Sequence, residues 1–509
     1  MLSTAVDLSR ISRVVGYKVY PANFEVITPY LPQRVVILGE ANTAYQENLD
    51  ETPFAFINAK QVGEKYGYGS PLHQMARILR PLSGDPIGGI PTIAIAQPED
   101  DGATAGIYEL GVTVATTVTK NATHKLYING RDNIDGQYYS FTVPEDGDAG
   151  DVIDAIIDAV NGVMGSPVVA SDGTTKVILT SKWKGATAVL NCRVETFGEG
   201  AGIVYAESSN TAGTGDAEID DALATFGDNW NTLVVNAYGE AVFDVIELFN
   251  GVPDPQNPSG RYTPTSFKPA LFFFGSVLGV KEDIELITND AARIDQVSNV
   301  HCPAPNSEGF PWEAAANVVL ICAITAQNYP HLDVGGQKYL DMPVPTDEDI
   351  GDFANYTGRD YLVKVGSSTV SLSAGKYMIQ DLITTYAPEG DPTPKFRPVR
   401  DIIVDWNVAY NVLLLMQIYI QDKAIVPDNT PTKVSNTIKP KGVKQLFNEL
   451  FSNLEGLALL ADQSFSADNL QVGINEVNPA RLDVAFKYKR TSTAHIVSTD
   501  AAVDFNYST

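Results

Sequence analysis

Cysteine is scarce in this chain: Cys192, Cys302 and Cys322 are the only three in 509 residues, and no two of them form a C-x-x-C pair. An odd count without paired spacing implies no disulfide framework and fits folding in a reducing cytoplasm. Positive charge is the second shortage. The 35 Lys and Arg stand against 62 Asp and Glu, a net charge of −27. Nucleic-acid binding and adhesion to anionic membranes both need clustered basic residues, so neither is expected. The acids are spread through loops such as 97–101 and 145–148, the pattern of a solvated surface. Long apolar runs are also missing. The longest, Val318 to Ile324, is too short to span a bilayer, and Met1 is followed by Ser3, Thr4 and Asp7 rather than by a basic region and an apolar core. A soluble chain made in the cytosol, without membrane insertion, is the expectation. The composition is otherwise ordinary for a folded protein, 44% apolar and 19% charged, and the length admits roughly two to four domains.

The most definite local pattern lies between Leu31 and Leu79. Arg34-Val35-Val36-Ile37-Leu38-Gly39 is an unbroken apolar run closed by Gly, which predicts a central strand covered on both faces. Ala59 to Tyr66 reads as a helix, Gly67-Tyr68-Gly69-Ser70-Pro71 ends it, and Pro71 starts a second helix carrying Leu72, Met75 and Leu79. Thr92 to Ala96 is the next strand. Strand-like runs follow at 110–118, 125–128, 138–143, 168–170 and 176–180. Between them Val152, Ile153, Ile156, Ile157, Val160 and Val163 define a helix that Asp148 or Asp151 can cap. From 232 to 327 strands and helices alternate again, which predicts a parallel sheet uniting residues 31–96 with 220–400. Two helices are expected at 402–421 and 443–463. Leu482, Val484, Phe486 and Tyr488 then alternate with polar or small residues, and Val503, Phe505 and Tyr507 repeat the alternation.

The domain reading is therefore an extended N-terminal arm at 1–30, a discontinuous α/β core at 31–98 and 220–400, and an inserted β-rich domain at 99–219. The segment 199–220, rich in Gly, Ala, Ser and Thr, serves as the return linker of that insertion. An α+β domain at 401–509 ends in extended strands.

Leu31-Pro32-Gln33-Arg34-Val35-Val36-Ile37-Leu38-Gly39 and Tyr66-Gly67-Tyr68-Gly69-Ser70-Pro71-Leu72, followed in collinear order by 113–193, 231–236, Ile383-Thr384-Thr385-Tyr386 and the C-terminal stretch, resemble the tail sheath proteins of contractile bacteriophages, specifically the Mu-like branch. The resemblance implies an α/β core of subtilisin-like topology without catalytic residues, no enzyme activity and no cofactor. It implies a virion tail component, assembled in the host cytoplasm, that polymerises helically around a tail tube and contracts to drive the tube through the bacterial envelope. The partners it implies are further copies of the chain, the tube protein, and baseplate and tail terminator proteins. In that family N- and C-terminal strands of adjacent subunits are woven together; the matching positions are Val15, Tyr17 and Val19 with Leu482, Val484, Phe486 and Tyr488, joined by Val503 and Phe505. A hairpin closed within one chain is the alternative. Lys433, Lys439, Lys441 and Lys444 form the clearest basic cluster, which the resemblance places against the tube and which reads equally well as a solvated loop. The inserted domain would decorate the outer surface. A sheath from a phage-derived injection device, or an α/β enzyme without recognisable motifs, are the competing readings.

Chemistry is hard to find in the sequence. The five histidines, His73, His124, His301, His331 and His495, lie in no protease-like setting, and His301 and Cys302, as neighbours on a strand, point to opposite faces. Gly198-Glu199-Gly200-Ala201-Gly202 lacks the Lys and Ser/Thr of a phosphate loop. The acids Asp347, Glu348 and Asp349 fail the calcium-loop test at Asp352 and Gly358, and read as the dressed N-terminus of a helix.

Overall fold

The computed structural model describes residues 29–197, 200–289, 297–388 and 395–501. These form two compact units, residues 30–407 with 492–501, and residues 408–491. The larger unit is built on a six-stranded sheet in the order Asn299–Pro303, Leu271–Ser276, Leu233–Asn236, Val35–Glu40, Thr92–Gln97, Phe54–Phe56. The first five strands run parallel and the sixth antiparallel. Val35 pairs with Leu233 on one side and Thr92 on the other, so the segments 31–96 and 220–400 do share one sheet. The strand read as central is central, and all six of its residues are buried. Val36, Leu38, Ile93, Ile95, Val234 and Phe272 face one side, where Leu223, Phe226, Val242 and Ile246 cover them. Helices Pro71–Leu79 and Pro311–Asn328 pack on the other face. The latter is apolar nearly all round and buried without interruption from Trp312 to Ala323, as a fully enclosed helix must be.

The first early helix has the predicted bounds, Ala59–Tyr66, and the second starts at Pro71 as predicted and runs to Leu79. Asn58 caps the first by accepting from the Gln61 N–H, and Ser70 caps the second by accepting from that of His73. Gly67 between them sits at φ 96°, and a side chain there would strike the Asn42 amide. The edge strand Phe54–Phe56 is an addition to the expected pattern; three residues are too few for a period to show.

Gly275 in strand Leu271–Ser276 is where helix Pro311–Asn328 meets the sheet backbone to backbone. An added Cβ would lie 1.6 Å from the Pro311 carbonyl oxygen. Gly275→Ala is therefore expected to cost about 3 kcal/mol, the upper end of overpacking penalties, read as a lowered urea midpoint. Gly89→Ala, which meets open space, is the control. A Gly275→Ala midpoint equal to that of the control would disprove the close approach.

Between residues 105 and 211 the chain forms a four-stranded antiparallel sheet (Ile203–Thr211, Ala105–Val114, Lys176–Lys184, Val168–Asp172) and a three-stranded one (Cys192–Thr196, Ala122–Ile128, Ser140–Val143). Helix Ala149–Asn161 starts with a reciprocal capping box. The Asp148 carboxylate accepts from Asp151 N–H at 3.1 Å, and the Asp151 carboxylate accepts from Asp148 N–H at 2.9 Å. The segment 199–220 is not simply a linker, because its centre is strand Ile203–Thr211, paired with Ala105–Val114 through a bulge. It is an edge strand exposed along most of its length, so its polar composition concealed it.

Two further expectations are corrected. Asp347, Glu348 and Asp349 do not dress an α-helix. They form turns in which Asp347 accepts from Asp349 N–H and Asp349 from Gly351 N–H, ahead of a 3-10 turn, Gly351–Ala354. The next α-helix, Tyr356–Lys364, is capped by Asn355 instead. The helix expected at 443–463 is Pro440–Gly456, then a break, then Gln463–Asp468 capped by Asp462.

Helix Val399–Leu415 continues through a π turn to Ile420, and by length and composition alone this stretch could cross a membrane. In the structure Val404, Trp406 and Val408 are buried. The Asn407 amide donates to Ile403 O and accepts from Leu31 N–H, both at 2.8 Å, tying the lead into the central strand to this helix.

In the unit 408–491, helix Pro440–Gly456 buries Val443, Phe447, Leu450, Phe451 and Leu454. A two-stranded antiparallel sheet, Gln471–Ile474 with Leu482–Ala485, follows it in the chain, and Ala461 N–H donates to Lys489 O beyond.

Candidate subunit-contact surfaces

Alternation at 482–488 places Leu482, Val484, Phe486 and Tyr488 on one side of an extended chain, and within the unit 408–491 these residues find partners. Leu482 stands opposite Ile474 and Val484 opposite Val472. The Phe486 ring packs 5.8 Å from Phe447 and 5.3 Å from Phe451, and Tyr488 lies 6.1 Å from Phe486. The hairpin within one chain is therefore present. Among the described residues, however, strand Leu482–Ala485 is paired on one side only. Its other edge is a row of backbone donors and acceptors of the kind that accepts an added strand. Past Thr491 the chain has no regular structure up to Ala501, and Ile496 and Val497 are more than four-fifths exposed. Val15, Tyr17, Val19, Val503 and Phe505 lie outside the described residues.

The four lysines group around the start of helix Pro440–Gly456. Lys433, Lys441 and Lys444 are exposed, and the half-buried Lys439 donates from Nζ to Thr430 O at 2.6 Å. Lys489, which the sequence pattern did not single out, pairs with Asp462 at 2.9 Å and lies over the Phe465 ring.

The residues closest to a catalytic pair are held inert. Burial drives the His301 imidazole down to about 3, so it is neutral at physiological pH. Its Nδ1 lies 2.7 Å from Ser367 Oγ, which itself donates to Ser368 O. The serine proton thus points away from the imidazole, the reverse of a base and nucleophile. Burial also pushes the Cys302 thiol well above its ordinary value, and its nearest acceptor is Val300 O at 3.7 Å. His73 is likewise driven down to about 3 by burial, and accepts at Nδ1 from Gly69 N–H. Ala201 and Gly202 lead into a strand rather than a helix, so among the described residues this stretch supplies no helix N-terminus for a phosphate. Among the described residues no three His, Cys, Asp or Glu side chains converge as metal ligands.

No family model matches the sequence, and no curated protein matches it. Among solved structures the chain is similar to the sheath tail protein of Desulfitobacterium hafniense, at 11% identity and a TM-score of 0.44, over 94% of this chain and 100% of that one.

Proposed function

We propose that this chain is the structural subunit of a contractile tail sheath, which polymerises helically around a tail tube and contracts to drive it through a bacterial envelope. The observation that carries the reading is the one-sided strand Leu482–Ala485, followed by exposed chain bearing Ile496 and Val497. The collinear sequence resemblance along most of the chain supports it. Because Leu482, Val484 and Phe486 have neighbours within their own chain, a strand arriving from another subunit would add to the backbone edge and leave the Phe447–Phe451–Phe486 packing in place. Val15 to Val19 and Val503 to Phe505 are the segments assigned to that exchange. Contacts between such edges are heterologous, and heterologous contacts that do not close generate helices. Lys433, Lys441 and Lys444 offer a basic surface to a tube of opposite charge. No nucleotide is required: the two packings of identical subunits would differ by roughly a few kcal/mol each, summed over many copies.

Negative-stain electron microscopy of the purified full chain at rising concentration tests this reading. Hollow tubes or stacked rings of constant width are expected. Monodisperse monomers that persist even beside a tube protein would reject it.

A further inference from the structure

The strand order of the core sheet reverses at Val35–Glu40: the chain builds outward to Thr92–Gln97 on one side, then returns to add Leu233–Asn236, Leu271–Ser276 and Asn299–Pro303 on the other. In open parallel sheets the space beyond the carboxyl ends at such a reversal is a natural binding crevice. Here it is a cavity of about 330 Å³. One wall consists of the strand ends and the start of helix Pro311–Asn328. The 184–189 and 215–217 loops of the inserted region form the other.

Three polar side chains lining this cavity each have a buried atom without a partner: Glu40 Oε2, Tyr238 Oη and Trp312 Nε1. Glu40 is only 4% exposed. Its other oxygen is engaged, since Thr187 Oγ1 donates to Oε1 at 2.6 Å while itself accepting from Trp183 Nε1 at 3.0 Å. Buried polar atoms are nearly always satisfied in native proteins, so three orphans on side chains that line one cavity, each covered as it stands, point to an occupant that these side chains turn to meet. The remaining lining is mostly apolar and includes Phe274, Val277, Leu278 and Ile287. Charged groups facing the cavity are Glu99, Asp100, Asp216 and Glu240, against Lys184 alone.

We propose that this crevice binds a small organic cation, a protonated amine or guanidinium on an apolar stem, with its head on Glu40 and its stem between Phe274 and Trp312. As the Glu40 and Tyr238 side chains turn towards the cavity, the head donates to Glu40 Oε2, and the Tyr238 oxygen is a second acceptor. Trp312 Nε1 is left to hold a water or an acceptor atom on the stem. The excess of carboxylates favours a cation over an anion or a neutral ligand. Burial raises the Glu40 carboxyl to about 7, partly offset by the Thr187 hydrogen bond and reinforced by the Glu99 charge. A cation must therefore displace a proton from Glu40 below neutrality, and affinity should fall about tenfold between pH 8 and pH 6.

The test is calorimetric titration of the full chain with benzylamine, in buffers of different ionisation heat. Binding at pH 8, roughly tenfold weaker binding at pH 6, and release of about half a proton per ligand at pH 7 are expected. Glu40→Gln should lose at least about tenfold in affinity at pH 8 and become insensitive to pH, while remaining folded by circular dichroism. Benzyl alcohol, which has the same stem without the charge, should bind far more weakly. Equal binding of the two probes, absence of benzylamine binding at millimolar concentration, or an unchanged Glu40→Gln titration would each overturn the assignment. None of these outcomes bears on polymerisation.

Discussion

Replacing Arg131 by Ala is expected to cost about 3–5 kcal/mol, because it strands a buried carboxylate. Arg131 lies in a tight turn of the inserted region, where Ile128 and Arg131 exchange backbone hydrogen bonds. It reaches the Glu313 carboxylate at 3.1 Å and that of Asp341 at 2.6 Å. The Glu313 side chain is 1% exposed, and its second oxygen accepts from Phe310 N–H at the start of its own helix. One carboxylate thus closes a helix N-terminus and anchors the insertion to the core. Burial raises its affinity for protons in spite of the arginine, so loss of Arg131 leaves the desolvation penalty uncompensated. For Asp341 burial works upward too, but the Arg131 charge and hydrogen bond outweigh it and hold the carboxyl below its ordinary value. The Asp341 contribution is present above the ordinary carboxylate range and is lost as pH falls through its lowered folded value. Arg131→Lys should restore only part of the loss, since a single ammonium cannot fork to both acids. The double variant Arg131→Ala/Glu313→Gln should be more stable than Arg131→Ala, because the stranded charge is gone. Denaturant titration of the wild type, Arg131→Ala, Glu313→Gln and the double variant measures the coupling, and additive effects would show that the pair is not one unit.

Glu40→Gln is expected to stabilise the protein by about 3 kcal/mol at pH 8 and by no more than about 1 kcal/mol at pH 5. The folded carboxyl is raised from 4.5 to about 7, chiefly by burial. A group raised in this way holds a proton in the native state that the unfolded chain has already released. Its contribution is complete below the unfolded value and is lost as pH rises through the folded one, so above neutrality the ionised carboxylate is a net liability. Glutamine keeps an oxygen for the Thr187 hydroxyl and carries no charge. Thermal melts of both proteins from pH 5 to pH 8 should diverge with rising pH. Parallel curves would mean that Glu40 does not titrate in this range.

The elements that sequence alone made legible are those whose pattern is local. An unbroken apolar run, Val35 to Leu38, declared a strand buried on both faces, and it is the centre of the sheet. Gly67, Ser70 and Pro71 declared a helix end and a helix start because each has one local conformation to offer. Edge strands were harder to see. Phe54–Phe56 is too short for periodicity, and Ile203–Thr211 is wet on most of its length, so nothing required apolar residues there. In the candidate contact region, alternation at 482–488 revealed a strand but not its neighbour, since a period of two specifies faces and leaves the pairing edge undefined. The structure supplied Gln471–Ile474 and helix Pro440–Gly456 as those neighbours.

The sequence by itself determined the periods, the caps, the acidic surface and the absence of recognisable catalytic motifs, all of which depend on residues within a turn or two of one another. The tertiary structure alone decided the state of Glu40. In the sequence it is one more carboxylate at a strand end; in the fold it is buried beneath a loop whose Thr187 lies 147 residues away. Arg131 and Glu313, 182 residues apart, became a pair in the same manner. Burial and charge pairing are properties of the space around a group, and that space is filled by residues the chain brings together only on folding.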